Sequence, residues 1–160
     1  ITACQIFEES FAQYDVATLD SFTFEETTNI TSIETVVNGW NGYVDINGVT
    51  NYTISVYSTP DAAGADLVGD VYSIDIVEPE LPTWTGAGTL VKFNVSISLP
   101  AGDYWFAVIP WNEFGVNGQT GIASSTLGDG SAYQANPGGG FGFGPTQATT
   151  EDAAYRLLTD

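Results

Sequence analysis

The sequence has no histidine, no methionine, a single cysteine and only two cationic side chains among its 160 residues. Without histidine, Ser-His-Asp catalysis, Cys-His catalysis and imidazole metal sites are excluded. One cysteine, Cys4, cannot form an intrachain disulfide. Lys92 and Arg156 are too few to neutralise the phosphates of a nucleic acid or the headgroups of an anionic membrane, so neither is expected as a partner. No apolar run approaches the roughly 20 residues of a transmembrane helix, so no membrane insertion is expected.

Acidic side chains supply nearly all of the charge. Twenty Asp and Glu residues against two Lys and Arg give a formal net charge of −18. Only 14% of the residues are charged, whereas an ordinary soluble domain has about 25%. The apolar fraction of 43% is sufficient for one well-packed domain of this length. Because the chain begins at Ile1 and lacks methionine, we expect an exported, extracellular protein whose leader has been removed.

The chain from residue 20 onward alternates apolar and polar residues with the period of a β-strand. Asn-Gly steps at 38–39, 41–42, 47–48 and 117–118, and an Asp-Gly step at 129–130, are typical of tight turns. The predicted strands are 21–24, 30–37, 40–46, 52–57, 71–77, 90–99 and 104–109, with shorter candidates at 122–123, 132–134 and 154–158. The uninterrupted apolar run at 104–109 is typical of a central strand. We therefore predict an all-β protein, an antiparallel β-sandwich or jelly roll of about 8–10 strands.

Two regions differ from this pattern. Residues 1–19 are predicted to form an N-terminal arm or a short helix outside a single domain at 20–160, which contains a glycine-rich loop at 137–145. An extended arm can add a strand to a neighbouring subunit. Its anchors would be the apolar side chains Ile6, Phe7, Phe11 and Tyr14. The alternative is that this segment packs on its own domain.

Four segments resemble a known group of extracellular modules. Residues 99–105, Leu-Pro-Ala-Gly-Asp-Tyr-Trp, resemble the strand entry of bacterial β-sandwich modules found in PEP-CTERM and choice-of-anchor surface proteins. Residues 52–57, 134–140 and 152–157 resemble three further segments of such modules, in the same order. The resemblance implies a β-sandwich at a prokaryotic cell surface, and it implies no particular reaction.

Carboxylates are the only abundant reactive groups. Glu78 and Glu80 lie near Trp84, and Glu113 lies near Trp111. A pair of carboxylates across a cleft could hydrolyse a glycoside. Two acids close together in a proline-rich loop are more often solvated surface groups, so we predict no catalytic residue and no enzyme.

Calcium is the cofactor that the loops suit best. Asp45 and Asn47 begin an Asp-x-Asn-Gly stretch that resembles the start of a calcium-binding loop. The loop acids Asp61, Asp66, Asp103 and Asp129 offer further oxygen ligands. The alternative is that these residues are turn formers.

Aromatic side chains in loops are candidates for contact with a glycan or a protein partner. Trp84 and Trp111 have loop neighbours, and Phe141 and Phe143 lie in the glycine-rich loop. The alternative is that these rings cover the ends of the sandwich.

The function expected from these features is structural. We predict a secreted structural or adhesive protein of the cell surface, a subunit of an extracellular filament or layer whose partners are other copies of the same chain, joined head to tail. The alternative is a calcium-assisted carbohydrate-binding module, with glycans as its partners.

Overall fold

The computed structural model describes residues 1–160 and contains two antiparallel sheets packed face to face. The predicted all-β sandwich is confirmed. The helical segments are short, and no helix is long and apolar enough to cross a membrane. They are 3-10 helices at Glu9–Tyr14 and Ile46–Gly48, α1 (Pro60–Ala65) and α2 (Phe114–Asn117). The strands are β1 (Thr2–Ala3), β2 (Ala17–Phe24), β3 (Thr28–Trp40), β4 (Asn51–Tyr57), β5 (Tyr72–Ile76), β6 (Thr89–Leu99), β7 (Gly102–Trp111), β8 (Gln119–Ile122), β9 (Ser124–Ser125), β10 (Tyr133–Ala135), β11 (Thr146–Ala148), β12 (Asp152–Ala153) and β13 (Tyr155–Thr159).

The larger sheet has six strands in the order β11-β10-β2-β7-β4-β5. Its centre is β7, which pairs with β2 on one side and β4 on the other. This position explains the uninterrupted apolar run at 104–109, because both faces of the strand's second half are covered and Phe106 and Ile109 are buried. The two ends of the sheet are β5 and β11, and each is paired on one side only.

The second sheet is organised around β3, the longest strand. β6 pairs with β3 over nearly its whole length, while β13 and β8 pair with successive parts of its other edge. β1 extends this sheet by pairing with β8. In β6 the alternation predicted from the sequence is present, with Val91 and Phe93 buried and Asn94 exposed. A separate pair of strands, β9 and β12, lies beside the two sheets.

One predicted strand, 40–46, is wrong. Trp40 ends β3, and the chain then turns at Asn41 and Gly42, which have backbone φ angles of 52° and 94°. Both angles lie in the left-handed region, where a strand cannot continue. The residues that follow form the 3-10 helix Ile46–Gly48.

The N-terminal segment is integrated into the domain. β1 and β2 lie within the predicted 1–19 segment or begin there, and Cys4, Ala17 and Leu19 belong to the single core cluster of 24 buried residues. Cys4 is fully buried and its sulfur lies 3.2 Å from the carbonyl oxygen of Val108 in the opposite sheet. Burial raises the pKa of Cys4 to about 12. The core of the sandwich is therefore completed by residues that precede the predicted domain boundary at residue 20.

Candidate functional site

The four predicted arm anchors contact their own chain in the structure. The Ile6 N–H donates to the carbonyl of Pro110 at 2.8 Å, and the Ile6 carbonyl accepts from the Asn112 N–H at 3.1 Å. Phe7, Phe11 and Tyr14 lie together on the outside of the sandwich. This placement corresponds to the alternative in which the segment packs on its own domain. A contact between subunits through these side chains stays a prediction.

These three rings form part of an open groove of about 240 Å³ that joins distant parts of the chain. We call it the aromatic groove. Its lining consists of five aromatic and two carboxamide side chains: Phe7, Phe11, Tyr14, Phe114, Phe141, Asn41 and Gln119. No charged side chain lines it.

Four of the five rings of the aromatic groove form a closed cycle of pairwise contacts, and the fifth ring contacts one of these four. Phe7 lies between Tyr14 and Phe114, with centroid separations of 6.1 and 6.2 Å. Phe11 also contacts these two rings, at 6.4 and 5.5 Å. Phe141 meets Tyr14 edge to face at 5.4 Å. These separations are typical of favourable aromatic pairs, so the rings hold one another in position.

Two carboxylates fix the backbone beneath these rings. Asp15 accepts the N–H of Phe7 at 2.7 Å. Glu8 accepts the N–H of Phe114 at 2.7 Å and that of Gly115 at 2.9 Å. Desolvation raises the pKa of Glu8, but hydrogen bonds from the backbone N–H groups of Gly115, Glu8 itself and Phe114 outweigh it, and the pKa ends below its usual value. For Asp15 burial dominates, and its pKa is raised.

The glycine-rich loop lies directly on the N-terminal segment. The N–H of Gly140 donates to the carbonyl of Gln13 at 2.9 Å. A Cβ at Gly138 or Gly140 would come within 2.7 Å of a Gln13 backbone atom, so a side chain at either position would push the loop away. Asn136 completes the contact by donating to the Gln13 carbonyl and accepting from the N–H of Phe141. Glycine at these positions therefore allows Phe141 to reach the aromatic groove.

The structure separates the four aromatic residues predicted to contact a glycan or partner. Phe141 and Phe143 lie together, with ring planes 14° apart and centroids 6.2 Å apart. Trp111 lines a different cavity of about 340 Å³, and its indole N–H donates to the Thr53 hydroxyl at 2.7 Å. Trp84, 47% exposed, lines a third depression that also contains Arg156. Only the phenylalanine pair is brought together.

Three aspartates converge beside Trp84, in a depression of about 530 Å³. One carboxylate oxygen each of Asp20, Asp129 and Asp152 lies within 4.8 Å of the others. Desolvation raises the pKa of Asp20, and the charges of Asp152 and Asp129 raise it further, while hydrogen bonds from Ser21 and Ala153 oppose the shift. Calcium takes six to eight oxygen ligands, and carboxylates supply one or two oxygens each, so these three side chains could provide part of such a shell.

Asp45 and Asn47 lie elsewhere and do not belong to this cluster. The Asp45 carboxylate accepts the N–H of Asn47 at 2.9 Å and caps the 3-10 helix Ile46–Gly48. This is the turn-forming role that was the alternative for these residues. Asp45 belongs to no group of three converging carboxylates. Calcium binding at this pair stays a prediction.

Sequence reasoning identified Asp129 as a loop acid, but it missed Asp20 and Asp152. Both lie at strand positions, where neither turn residues nor local spacing mark them. Asn41, Gln119 and Phe114 were also missed as lining residues of the aromatic groove. The sequence signal at Asn41 is its Asn-Gly step, which predicts a turn and does not indicate a groove.

Comparison with protein-family models, with characterised proteins and with solved structures finds no match to this chain. The resemblance to PEP-CTERM and choice-of-anchor modules stays a prediction.

Proposed function

We propose that this chain is a secreted structural or adhesive protein of the cell surface, that it acts through binding and without catalysis, and that copies of it assemble through the free edge of β5. The observation that supports this proposal is that the outer side of β5 has no partner strand. β5 pairs with β4 alone, so the backbone N–H and C=O groups along its other side are open to a further strand. An open strand edge is a ready template for another chain.

The β5 edge has little of the usual protection against such pairing. Natural edge strands are blunted by short length, charged side chains, proline or a bulge. β5 contains no lysine or proline, and its register with β4 is continuous over five residue pairs. Its one charged side chain, Asp75, accepts the Thr53 hydroxyl at 2.7 Å. The edge is therefore chemically suited to pairing.

Exposed apolar side chains lie in and next to this edge strand. Among the twelve exposed large apolar side chains of the protein, Ile74 lies within β5, and Val71 and Val77 flank it. Val77 is 66% exposed and Ile74 is 38% exposed. Covering them with a second copy would remove apolar surface from water, which favours association.

The six-stranded sheet has a second unpaired edge, which would allow copies of the protein to assemble in a line. β11, at the opposite end from β5, is also unpaired on its outer side. If β5 of one copy pairs with β11 of the next, the sheet continues and the contact repeats without closing, as in a filament. A pairing of β5 with β5 would instead close a twofold dimer.

The test is the assembly state of an edge variant. Ile74→Asp places a negative charge on the β5 edge of an already acidic molecule, and Leu127→Asp is the matched control, because Leu127 is 94% exposed in a distant loop. We expect filaments in electron micrographs of the wild type and of the control, and monomers in light scattering of Ile74→Asp. Thermal melts confirm that each variant is folded. Filaments of Ile74→Asp, or monomers of the wild type at all concentrations, would overturn the proposal.

Carbohydrate binding is the second candidate function, and the phenylalanine pair favours it. Phe141 and Phe143 are nearly parallel and lie beside an open groove that contains amide groups. Binding sites for small molecules combine such aromatic surfaces with a few polar groups. The alternative predicted from the sequence is that carbohydrate binding is assisted by calcium. The aspartate cluster, one of the candidates for calcium, shares no lining residue with the aromatic groove.

A further inference from the structure

We infer that the aromatic groove binds a neutral carbohydrate chain, and that it does so without calcium. This inference rests on the second candidate function. It assigns to the ligand the side chains Phe7, Phe11 and Tyr14, which the sequence suggested for contacts between subunits. The β5 edge is not involved, because no residue of that strand lines the groove.

The apolar side of a sugar ring fits the exposed part of the groove. One face of a pyranose presents C–H groups and stacks on an aromatic ring, while its hydroxyl groups point outward around the rim. Phe141 is 38% exposed, and its ring plane lies 14° from that of Phe143. The two rings therefore offer neighbouring surfaces of similar orientation, an arrangement suited to successive residues of one chain.

The polar side of a sugar ring requires hydrogen-bonding groups near this surface, and the groove supplies two carboxamides. The Asn41 amide donates to the Gln119 side-chain oxygen at 3.4 Å. No protein group accepts a hydrogen bond from the amide nitrogen of Gln119. This nitrogen is not one of the buried polar atoms that lack a partner, so it is open to solvent. It can therefore donate to a sugar hydroxyl that enters the groove.

The backbone at Asn41 is consistent with a binding role. Asn41 has a φ of 52° and is the only residue other than glycine with a positive φ. Asparagine adopts this conformation more readily than most residues, and here it forms the turn that ends β3. The turn places the exposed Asn41 side chain beside Gln119 and the groove.

Charge excludes the other carbohydrate classes. Acidic polysaccharides need cations in the binding site to receive their carboxylates or sulfates. The groove has none, because Lys92 pairs with Glu80 and Arg156 pairs with Glu34, away from it. A molecule with a net charge of −18 also repels polyanions. The ligand that remains is a neutral glycan.

The experiment compares neutral and acidic oligosaccharides on the full chain. The neutral probes are hexasaccharides of β-1,4-glucose, β-1,3-glucose, xylose, mannose and N-acetylglucosamine; the acidic probe is hexamannuronate. Isothermal titration is performed in physiological salt with calcium or with EDTA. We expect at least one neutral probe to bind with the same affinity in both buffers, and hexamannuronate not to bind.

The variants locate the binding site. Phe141→Ala removes the groove ring that lies parallel to Phe143, and Asn41→Gly removes the amide while accommodating the positive φ. Each should weaken binding of the neutral probe at least tenfold. Trp84→Ala, the control, removes a ring that is 47% exposed and lies outside the groove, and should leave the affinity unchanged. Ile74→Asp should bind normally, which separates this result from assembly.

Each contrary result overturns a distinct part of the inference. Binding that survives both groove variants places the carbohydrate elsewhere and leaves the second candidate function standing. Binding of hexamannuronate alone contradicts the charge argument, and loss of binding in EDTA contradicts calcium independence. If none of the probes binds, the inference and the second candidate function fail together, while the assembly proposal is unaffected.

Discussion

One half-buried carboxylate, that of Asp15, has two opposing effects on the stability of the backbone beneath the aromatic groove. The Asp15 carboxylate holds the backbone of Phe7 through a hydrogen bond of 2.7 Å. Burial raises the pKa of Asp15, which means that the folded protein disfavours the ionised form, and the hydrogen bond from Phe7 only partly opposes this effect. The acceptor oxygen stabilises the fold and the charge destabilises it. Substitution can separate the two contributions.

Asp15→Asn keeps an acceptor oxygen and removes the charge. The unfolded pKa of Asp is about 3.9 and the folded pKa is higher, so the wild type loses stability as the pH rises through this window. The variant does not titrate there. We expect its free energy of unfolding to equal or exceed that of the wild type at pH 7, with an advantage that grows from pH 3 to pH 7 in urea denaturation.

Asp15→Ala provides the comparison, because it removes the acceptor as well. It should be about 1–3 kcal/mol less stable than Asp15→Asn at both ends of the pH range, since the N–H of Phe7 loses its partner. If Asp15→Asn were less stable than the wild type at pH 7, the negative charge itself would be a stabilising feature of this site.

At the scale of elements, the turn after α2 depends on a glycine. Gly118 has a φ of 67°, and a Cβ at this position would lie 2.2 Å from the Tyr43 backbone nitrogen. The turn that ends β3 therefore approaches the start of β8 as closely as backbone atoms allow. Gly139, in the glycine-rich loop, has a similar φ of 74°, but no atom lies within 4 Å of its Cβ position.

These two glycines allow a matched prediction. Gly139→Ala should lower the free energy of unfolding by only the cost of a left-handed alanine, about 1–2 kcal/mol. Gly118→Ala carries the same cost and also displaces backbone, so we expect a loss at least twice as large in urea denaturation. Equal losses would show that the turn moves freely away from β8.

The strands were predictable where one local pattern was unopposed. The alternation in β6 and the apolar run in β7 correspond directly to an edge strand with one buried face and a central strand. The predicted strand at 40–46 failed because an apolar pattern was preferred over the Asn41-Gly42 turn within it. Positive φ at both residues decided the structure. A strong turn dipeptide outweighs a short apolar run.

The candidate sites were much less predictable, because they are made by tertiary contacts. Glu8 and Phe114 are separated by 106 residues along the chain, and Asp20 and Ala153 by 133. Local spacing contains no information about such pairs. Phe141 and Phe143 could be singled out because an aromatic residue between glycines is unusual, but their neighbours could not.

At the scale of the whole molecule, almost none of the negative charge of the carboxylates is balanced by cationic side chains. Lys92 lies 3.3 Å from Glu80, and Arg156 donates twice to a single oxygen of the buried Glu34. No further cation offsets the other carboxylates. Copies that approach one another therefore meet strong repulsion, which salt reduces by shortening the Debye length from about 30 Å at 0.01 M to about 8 Å at 0.15 M.

We therefore expect filament assembly to depend on cations. In 0.01 M salt with EDTA, light scattering should detect monomers, whereas 0.15 M NaCl or millimolar CaCl₂ should permit assembly. Asp129→Asn and Asp45→Asn then separate screening from binding. If calcium acts at the aspartate cluster, only Asp129→Asn shifts the calcium midpoint relative to NaCl. Filaments indifferent to both salts would remove charge from the explanation of assembly.

Because Cys4 is buried, the rate at which its thiol is alkylated measures how often the folded protein opens. The sulfur lies beneath β1, against Val108 of one sheet, while the Cys4 N–H donates to Thr120 of the other. Its pKa of about 12 keeps the thiol protonated at neutral pH. An alkylating reagent can reach it only after the fold opens around it. The alkylation rate of the unmodified chain therefore reports how often such opening occurs, and two folded copies cannot be linked through this residue.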